Sequence, residues 1–424
     1  MIQKAFKQKS QLLKIQQRSM SVLGMNSSSM QNAVIHDHNQ MKSKLQSQFN
    51  RTKLNSLLGD LPTGDIPEPL KYVRPFEVTE ISNGIRVCTE NWPSPVSAVG
   101  VFIGTGSRNE TIRTSGAAHF LEHLHFKGSQ KRTRRQLEKE VENLGSQLNA
   151  YTSREHTLYH MLCFNDNIAH SVEVLGDMLC NSVYDNYHLE NEKETIWQEL
   201  LATNQDYMET LMEGVYLNTY KNHMIGQPIL GDIDNIHQIT RDMVVDFHRT
   251  NYYGQNIVIV GTGSVNHQLL VDLSERHFHK FPKKAVAPIN NTEKPVFHSD
   301  VMHMIDEEMM NSNSGIFYNS PGWRDKDFYS FLLMQRVFGG YSQERNAAHI
   351  GDVHQQFNSM HALLAECPDI LRHDCIYSPY SDCGFFGHYI FGNDSFVRQQ
   401  THVGEALSEV YGEHFDDVEE SPQV

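Results

Sequence analysis

His119-Phe-Leu-Glu122-His123 has the form HxxEH. At 100° per residue, His119 and His123 project from one face of a helix, one turn apart. Two imidazoles so placed can converge on one cation at about 2.0–2.1 Å, the length of a zinc–nitrogen bond. Glu122 lies beside His123 on the same side. A carboxylate there can take a proton from water and pass it to a leaving amine. The chain holds 24 histidines, and chance alone gives this pattern in roughly one such chain in ten. Two surface histidines on a helix are therefore the plainer alternative. A catalytic zinc site also needs a third protein ligand and keeps one position for water. A predicted helix at residues 189–221 offers Glu190, Glu192, Glu194 and Glu199 against Leu189, Ile196, Leu200 and Leu211. Glu192 and Glu199 lie two turns apart on one face, and spacing alone does not choose between them. Farther along the same predicted helix, Glu213 falls near the face of Glu199 and Glu209 flanks it.

The elements that must position these groups can be read along the chain. Residues 77–89 have a strand–turn–strand pattern with Asn83-Gly84 as the turn. Residues 96–103 (VSAVGVFI) form a strand rich in branched side chains. Ser115 is placed to cap a helix over 116–127 that Gly128 closes, and that helix carries the HxxEH. A helix over 133–144, a hairpin of 147–152 with 157–164, a helix over 168–181 and a buried strand over 257–265 follow. Prolines 282, 288 and 295 break the pattern, and a second, similar one begins: strand near 314–319, helix near 327–337, strand near 384–391. The expectation is an α+β protein of two related units, each of helices packed on a mostly antiparallel sheet. The first would span 72–285 and the second 296–424, with the second short at its C-terminal end.

Composition bounds the function. The net charge is −15, yet residues 1–20 contain Lys4, Lys7, Lys9, Lys14 and Arg18 and no acid, so the rest of the chain carries −20. An acidic body disfavours nucleic acid and favours basic partners. Basic, Ser-containing and acid-free, residues 1–25 read as a mitochondrial transit peptide, with a basic tail as the alternative. Residues 26–71 read as a polar linker. No apolar run approaches the ~20 residues that span a bilayer. Cys88, Cys163, Cys180, Cys367, Cys375 and Cys383 form no CxxC pair, which suggests free thiols.

The segments HFLEHLHFKG (119–128), LNAYTSREHTLYH (148–160), ENEKETIWQEL (190–200) and QPILG (227–231) with the following Asn235-Ile236 resemble the inverzincin peptidases of the pitrilysin family. The likeness runs over about residues 75–395 and is nearest to the mitochondrial presequence-processing branch. It implies one zinc ion per chain, held by His119, His123 and Glu199, with Glu122 as catalytic acid/base and Glu192 as an orienting glutamate. It also implies that Asn149, Ala150 and Tyr151 bind the substrate as an added edge strand. An ordinary paired strand is the alternative. Glu209 and Glu213 would hold a substrate arginine, with Glu213 where that branch has aspartate; a solvated acidic face is the alternative. Phe338-Gly339-Gly340-Tyr341 is too short for the glycine-rich loop of an alpha-type subunit, which implies a separate alpha-type partner. Tyr380–Gly387 resembles the family's YxDTGLxG, with Cys383 replacing Thr.

Two functions from different classes remain open on the sequence. One is a zinc endopeptidase of the mitochondrial matrix that removes basic presequences. The other is a structural core subunit of respiratory complex III on the matrix side of the inner membrane. An intact ligand set favours the enzyme. A monomeric oligopeptidase is a third reading, disfavoured by the processing-type motifs.

Overall fold

Alternating burial along Val96–Ile103 (β3) builds the middle of a six-stranded sheet. It is seen in a computed structural model that describes residues 74–304, 311–343 and 369–393. Residues 1–25 and 26–71, expected to be transit peptide and linker, lie outside the described residues, as do 394–424 at the end of the second unit. The sheet runs β1 (Phe76–Glu80), β2 (Arg86–Asn91), β6 (Ile257–Gly263), β3, β5 (Thr157–Phe164), β4 (Gln147–Thr152). Only the β2–β6 pair is parallel. Strand β4 therefore lies at one edge.

Helices α1 (Ala117–His125), α3 (Ile168–Asn181) and α8 (His267–Phe278) supply the apolar side chains that cover this sheet. Phe120, Leu121, Leu124, Val172, Leu175 and Leu270 pack in one core with Val99, Val101, Ile103, Tyr159, Met161 and Ile259. Each such side chain, fully buried, contributes roughly 1.5–3 kcal/mol. Helix α2 (Arg134–Asn143) has a capping box: Thr133 accepts from Gln136 N while the Gln136 side chain returns to Thr133 N. Helices α6 (Ile233–Gln238) and α7 (Arg241–Asn251) complete the first set.

A second sheet runs β7 (Asn311–Asn319), β10 (Gly384–Asn393), β9 (Ile370–Pro379), β8 (Gly340–Ser342), all antiparallel. Helix α9 (Phe328–Phe338) packs Phe328, Phe331, Leu332 and Phe338 on Cys375, Tyr377 and Phe386. A separate cluster joins Cys383 and Phe385 to Tyr216, Tyr220 and Ile225. The whole is two open, mainly antiparallel sheets with helices, as the sequence suggested. No described helix is long and apolar enough to cross a membrane.

Two local expectations fail. The single helix over 189–221 is two: α4 (Asn186–Thr203) and α5 (Tyr207–Thr219). Asp206 caps α5 by accepting from Met208 N and Glu209 N, so the polar run Asn204-Gln205-Asp206 starts a new helix instead of extending the old one. The rotation that related Glu209 and Glu213 to Glu199 therefore does not apply. Ser115, the expected cap of α1, is not the cap. Gly116 takes that place with φ +95°, a conformation natural to glycine. The first turn is held instead by the buried Glu110, whose two oxygens accept from Gly116 N and Ala118 N at 2.9 and 2.7 Å.

Candidate metal centre

Helix α1 buries Phe120, Leu121 and Leu124, which turns His119, Glu122 and His123 towards α4 and β4. Helix α4 is anchored by the buried Leu189 and Ile196. That leaves Glu192 and Glu199, seven residues apart, facing α1. His119 Nε2 stands 3.7 Å from Glu199 Oε1, and His123 Nε2 stands 3.6 Å from Glu199 Oε2. The two rings are 4.5 Å apart between centroids. Among the described residues these three form the one group able to hold a metal ion, with ligand atoms within 4.8 Å of one another. Ligands about 2.1 Å from a tetrahedral ion are separated by roughly 3.4 Å. Two imidazole nitrogens and one carboxylate at 3.6–3.7 Å therefore fit such an ion. The Glu199 side chain is 45% exposed, so one side of the group opens to water. Burial, and then the neighbouring His123, lower the His119 pKa to about 3, so the ring is neutral, as a ligand must be.

Glu192 is not in this group. It is buried, its Oε2 2.9 Å from His123 Nδ1 and its Oε1 accepting from Lys127 Nζ at 2.7 Å. Burial pushes its pKa up, but the bonds from His123 and Lys127 outweigh that and hold it ionised. Spacing left the two glutamates equivalent; in the structure Glu199 faces both Nε2 atoms and Glu192 faces Nδ1 of His123.

Glu122 has its pKa raised by burial, against a lowering from Thr152, whose Oγ1 donates to its Oε2 at 2.5 Å. Thr152 ends strand β4, which carries Asn149, Ala150 and Tyr151. These pair with His160, Tyr159 and Leu158 of β5, and β4 has no partner strand on its other side among the described residues. Tyr151 is half exposed.

The two remaining acids part company. Glu209 is exposed in the first turn of α5. The Oε2 of Glu213 accepts from Nη2 of the buried Arg154 at 2.7 Å. That guanidinium also lies 3.4 Å over the Tyr216 ring and donates to Ile225 O. The sequence reading missed Arg154, Lys127 and the contact of Thr152 with Glu122. Lys127 had a signal, one turn beyond His123. So did Thr152, two residues beyond Ala150 on one strand face.

Residues 86–233 match the model of the insulinase peptidase family M16, and residues 238–413 match that of the peptidase M16 inactive domain. The mitochondrial-processing peptidase subunit beta of Lentinula edodes is 34% identical over 323 residues, 74% of this chain and 68% of that protein. Its Neurospora crassa namesake is 35% identical over 321 residues, 74% of this chain and 66% of that protein. The ubiquinol-cytochrome-c reductase complex core protein I of Euglena gracilis is 32% identical over 333 residues, 76% and 67% of the two chains. The chain thus spans about two thirds of these relatives' length. In fold it is similar to a protease from Helicobacter pylori (TM-score 0.67, 21% identity, 80% of each chain). It is also similar to a chain of complex III2 from Candida albicans (TM-score 0.62, 19% identity, 75% and 72% covered).

Proposed function

Because this chain belongs to the insulinase (M16) peptidase family, we propose that it is a zinc metalloendopeptidase that removes N-terminal presequences from proteins imported into mitochondria. The observation that carries this is the convergence of His119, His123 and Glu199 with Glu122 beside them. The names of its relatives from L. edodes and N. crassa support the processing role. An excess of 15 acids over bases suits cationic peptides.

In this reading His119, His123 and Glu199 hold the ion. Zinc, when bound, polarises a carbonyl and acidifies water. Glu122 receives the water proton on its carboxylate and returns it to the leaving amine. Its raised pKa suits a group that must carry a proton between two partners. Glu192 fixes the His123 ring through Nδ1. The free side of β4, at Asn149, Ala150 and Tyr151, takes the substrate in extended form through main-chain hydrogen bonds. Glu209 and Glu213 receive a substrate arginine, with Glu209 the freer of the two. Residues 1–25 serve as transit peptide and 26–71 as linker; 72–285 form the catalytic unit and 296–424 a second one. The chain works in the mitochondrial matrix with an alpha-type partner subunit.

A second reading is a core subunit of respiratory complex III on the matrix side of the inner membrane. It rests on the name of the E. gracilis relative and the likeness to a chain of the C. albicans complex. The intact donor set favours the enzyme. The deciding test combines the purified chain with an alpha-type partner and a basic presequence peptide. Cleavage abolished by a chelator and restored by zinc is expected. Glu122→Gln should retain zinc yet not cleave, whereas His123→Ala or Glu199→Gln should lose both. Bound zinc with no cleavage in any combination would leave the core-subunit reading standing.

A further inference from the structure

Glu192 is 4% exposed, so both of its oxygens must find donors inside the protein. One faces His123 Nδ1 at 2.9 Å and the other accepts from Lys127 Nζ at 2.7 Å. Lys127 follows α1 directly, and its backbone N donates to Leu124 O. His123 and Lys127 thus grip one carboxylate of α4 from points one helical turn apart. The lysine side chain is only 14% exposed, whereas an ordinary surface pair here, Arg134–Glu138, is 52% exposed on both sides. Arg134, the other cation whose charge reaches Glu192, spends its Nε on Glu138 at 2.7 Å.

The consequence concerns the tautomer. A neutral imidazole carries one N–H, and the hydrogen bond made by one nitrogen decides which form is present. With its N–H given from Nδ1 to Glu192, His123 keeps its lone pair on Nε2, the atom 3.6 Å from Glu199. If Glu192 turned away, that preference would vanish. We propose that Lys127 is a positioning residue of the metal centre, acting through Glu192 to hold His123 in the Nδ1–H form with its Nε2 lone pair aimed at the ion. The inference rests on the zinc reading above. It adds a second link, Lys127 to Glu192, behind the contact of Glu192 with His123.

The test is a double-mutant cycle in zinc affinity, read on the full chain by competition with a chelator, with no use of peptidase activity. Lys127→Met should weaken zinc about tenfold, the lower end of what outer partners of metal ligands contribute. Lys127→Arg should restore most of the loss, because it returns a cation. In a Glu192→Gln background, Lys127→Met should cost less than twofold more, because the group through which it acts is already gone. Wild-type affinity in Lys127→Met, or penalties that multiply in the double variant, would overturn the inference and leave the lysine a local structural contact. Should Lys127→Met fail to fold, Lys127→Gln is read in the same cycle. A wild-type chain that binds no zinc is a different failure: it removes the metal reading itself, and this inference with it.

Discussion

Thr152 Oγ1 stands 2.5 Å from Glu122 Oε2, so the last residue of the exposed edge strand holds the carboxylate beside the two histidines. On the function proposed above, peptide binding along β4 and proton transfer at Glu122 would share one hydroxyl. Thr152→Val keeps the shape and removes the donor. It should lower kcat roughly tenfold to a hundredfold, as misplacement of a reacting group does, with zinc content unchanged. The Thr152 bond also lowers the Glu122 pKa against the upward push of burial. Its loss should move the acid limb of the kcat/KM profile to higher pH. An unchanged limb together with an unchanged kcat would show that the bond has no part in the reaction.

Glu209 and Glu213 should separate when neutralised singly. Glu209→Gln should raise KM for peptides with arginine near the scissile bond and leave peptides without it unaffected. Glu213→Gln takes a charged partner from Arg154, which is 4% exposed, and should cost roughly 1–3 kcal/mol of stability. Thermal unfolding beside kinetics on paired peptides separates the two effects. A purely kinetic, arginine-specific loss in Glu213→Gln would return that acid to substrate binding alone.

What the sequence disclosed follows the range over which each signal acts. The hairpin 147–152 with 157–164 was legible to the residue because its alternation is local. His119, Glu122 and His123 were legible because one helical turn relates them. Glu199 was separated from Glu192 only by family likeness; its position opposite both Nε2 atoms depends on how α4 crosses α1. The break at Asn204–Asp206 was missed because apolar residues continue on both sides, at Leu200 and Leu211, and masked the capping signal of Asp206. The Arg154–Glu213 pair joins residues 59 apart, and no periodicity links them.

Acid should weaken the fold by way of buried histidines. Burial lowers His248 to about 4, and burial followed by the charge of His388 does the same for His373. In the unfolded chain these rings titrate near 6.5. The unfolded state therefore binds more protons between the two values, and stability falls as pH drops from about 6.5 towards 4. Each ring should cost on the order of 2 kcal/mol between pH 7 and pH 5. Denaturant midpoints measured with chelator throughout, so that metal release does not contribute, should show the slope. His248→Phe should flatten it in part, since His119, His125 and His373 are depressed as well, and a slope unaltered by that change would assign the acid sensitivity elsewhere.

The two sheets meet at a buried arginine. Arg108 is 5% exposed and donates from Nη1 and Nη2 to the two oxygens of Asp382, each at 2.8 Å. It also reaches Glu155 at 2.8 Å and the carbonyls of Asn291 and Glu293. Glu155 in turn accepts from Ser381 N and Oγ. This acid sits in the turn between β4 and β5, so the turn of the second sheet at 380–383 braces the end of the edge strand on which Thr152 lies. Arg108→Met leaves the carboxylates of Glu155 and Asp382 without their shared guanidinium and should cost roughly 3–5 kcal/mol. Asp382→Asn keeps the shape and leaves the arginine with Glu155, so it should cost less. At roughly 2 °C per kcal/mol for a chain of this size, thermal melting resolves the two. If the brace matters to the site, Asp382→Asn should also raise KM for extended peptides while zinc affinity stays constant. A lower melting point with unaltered KM would confine the contact to stability.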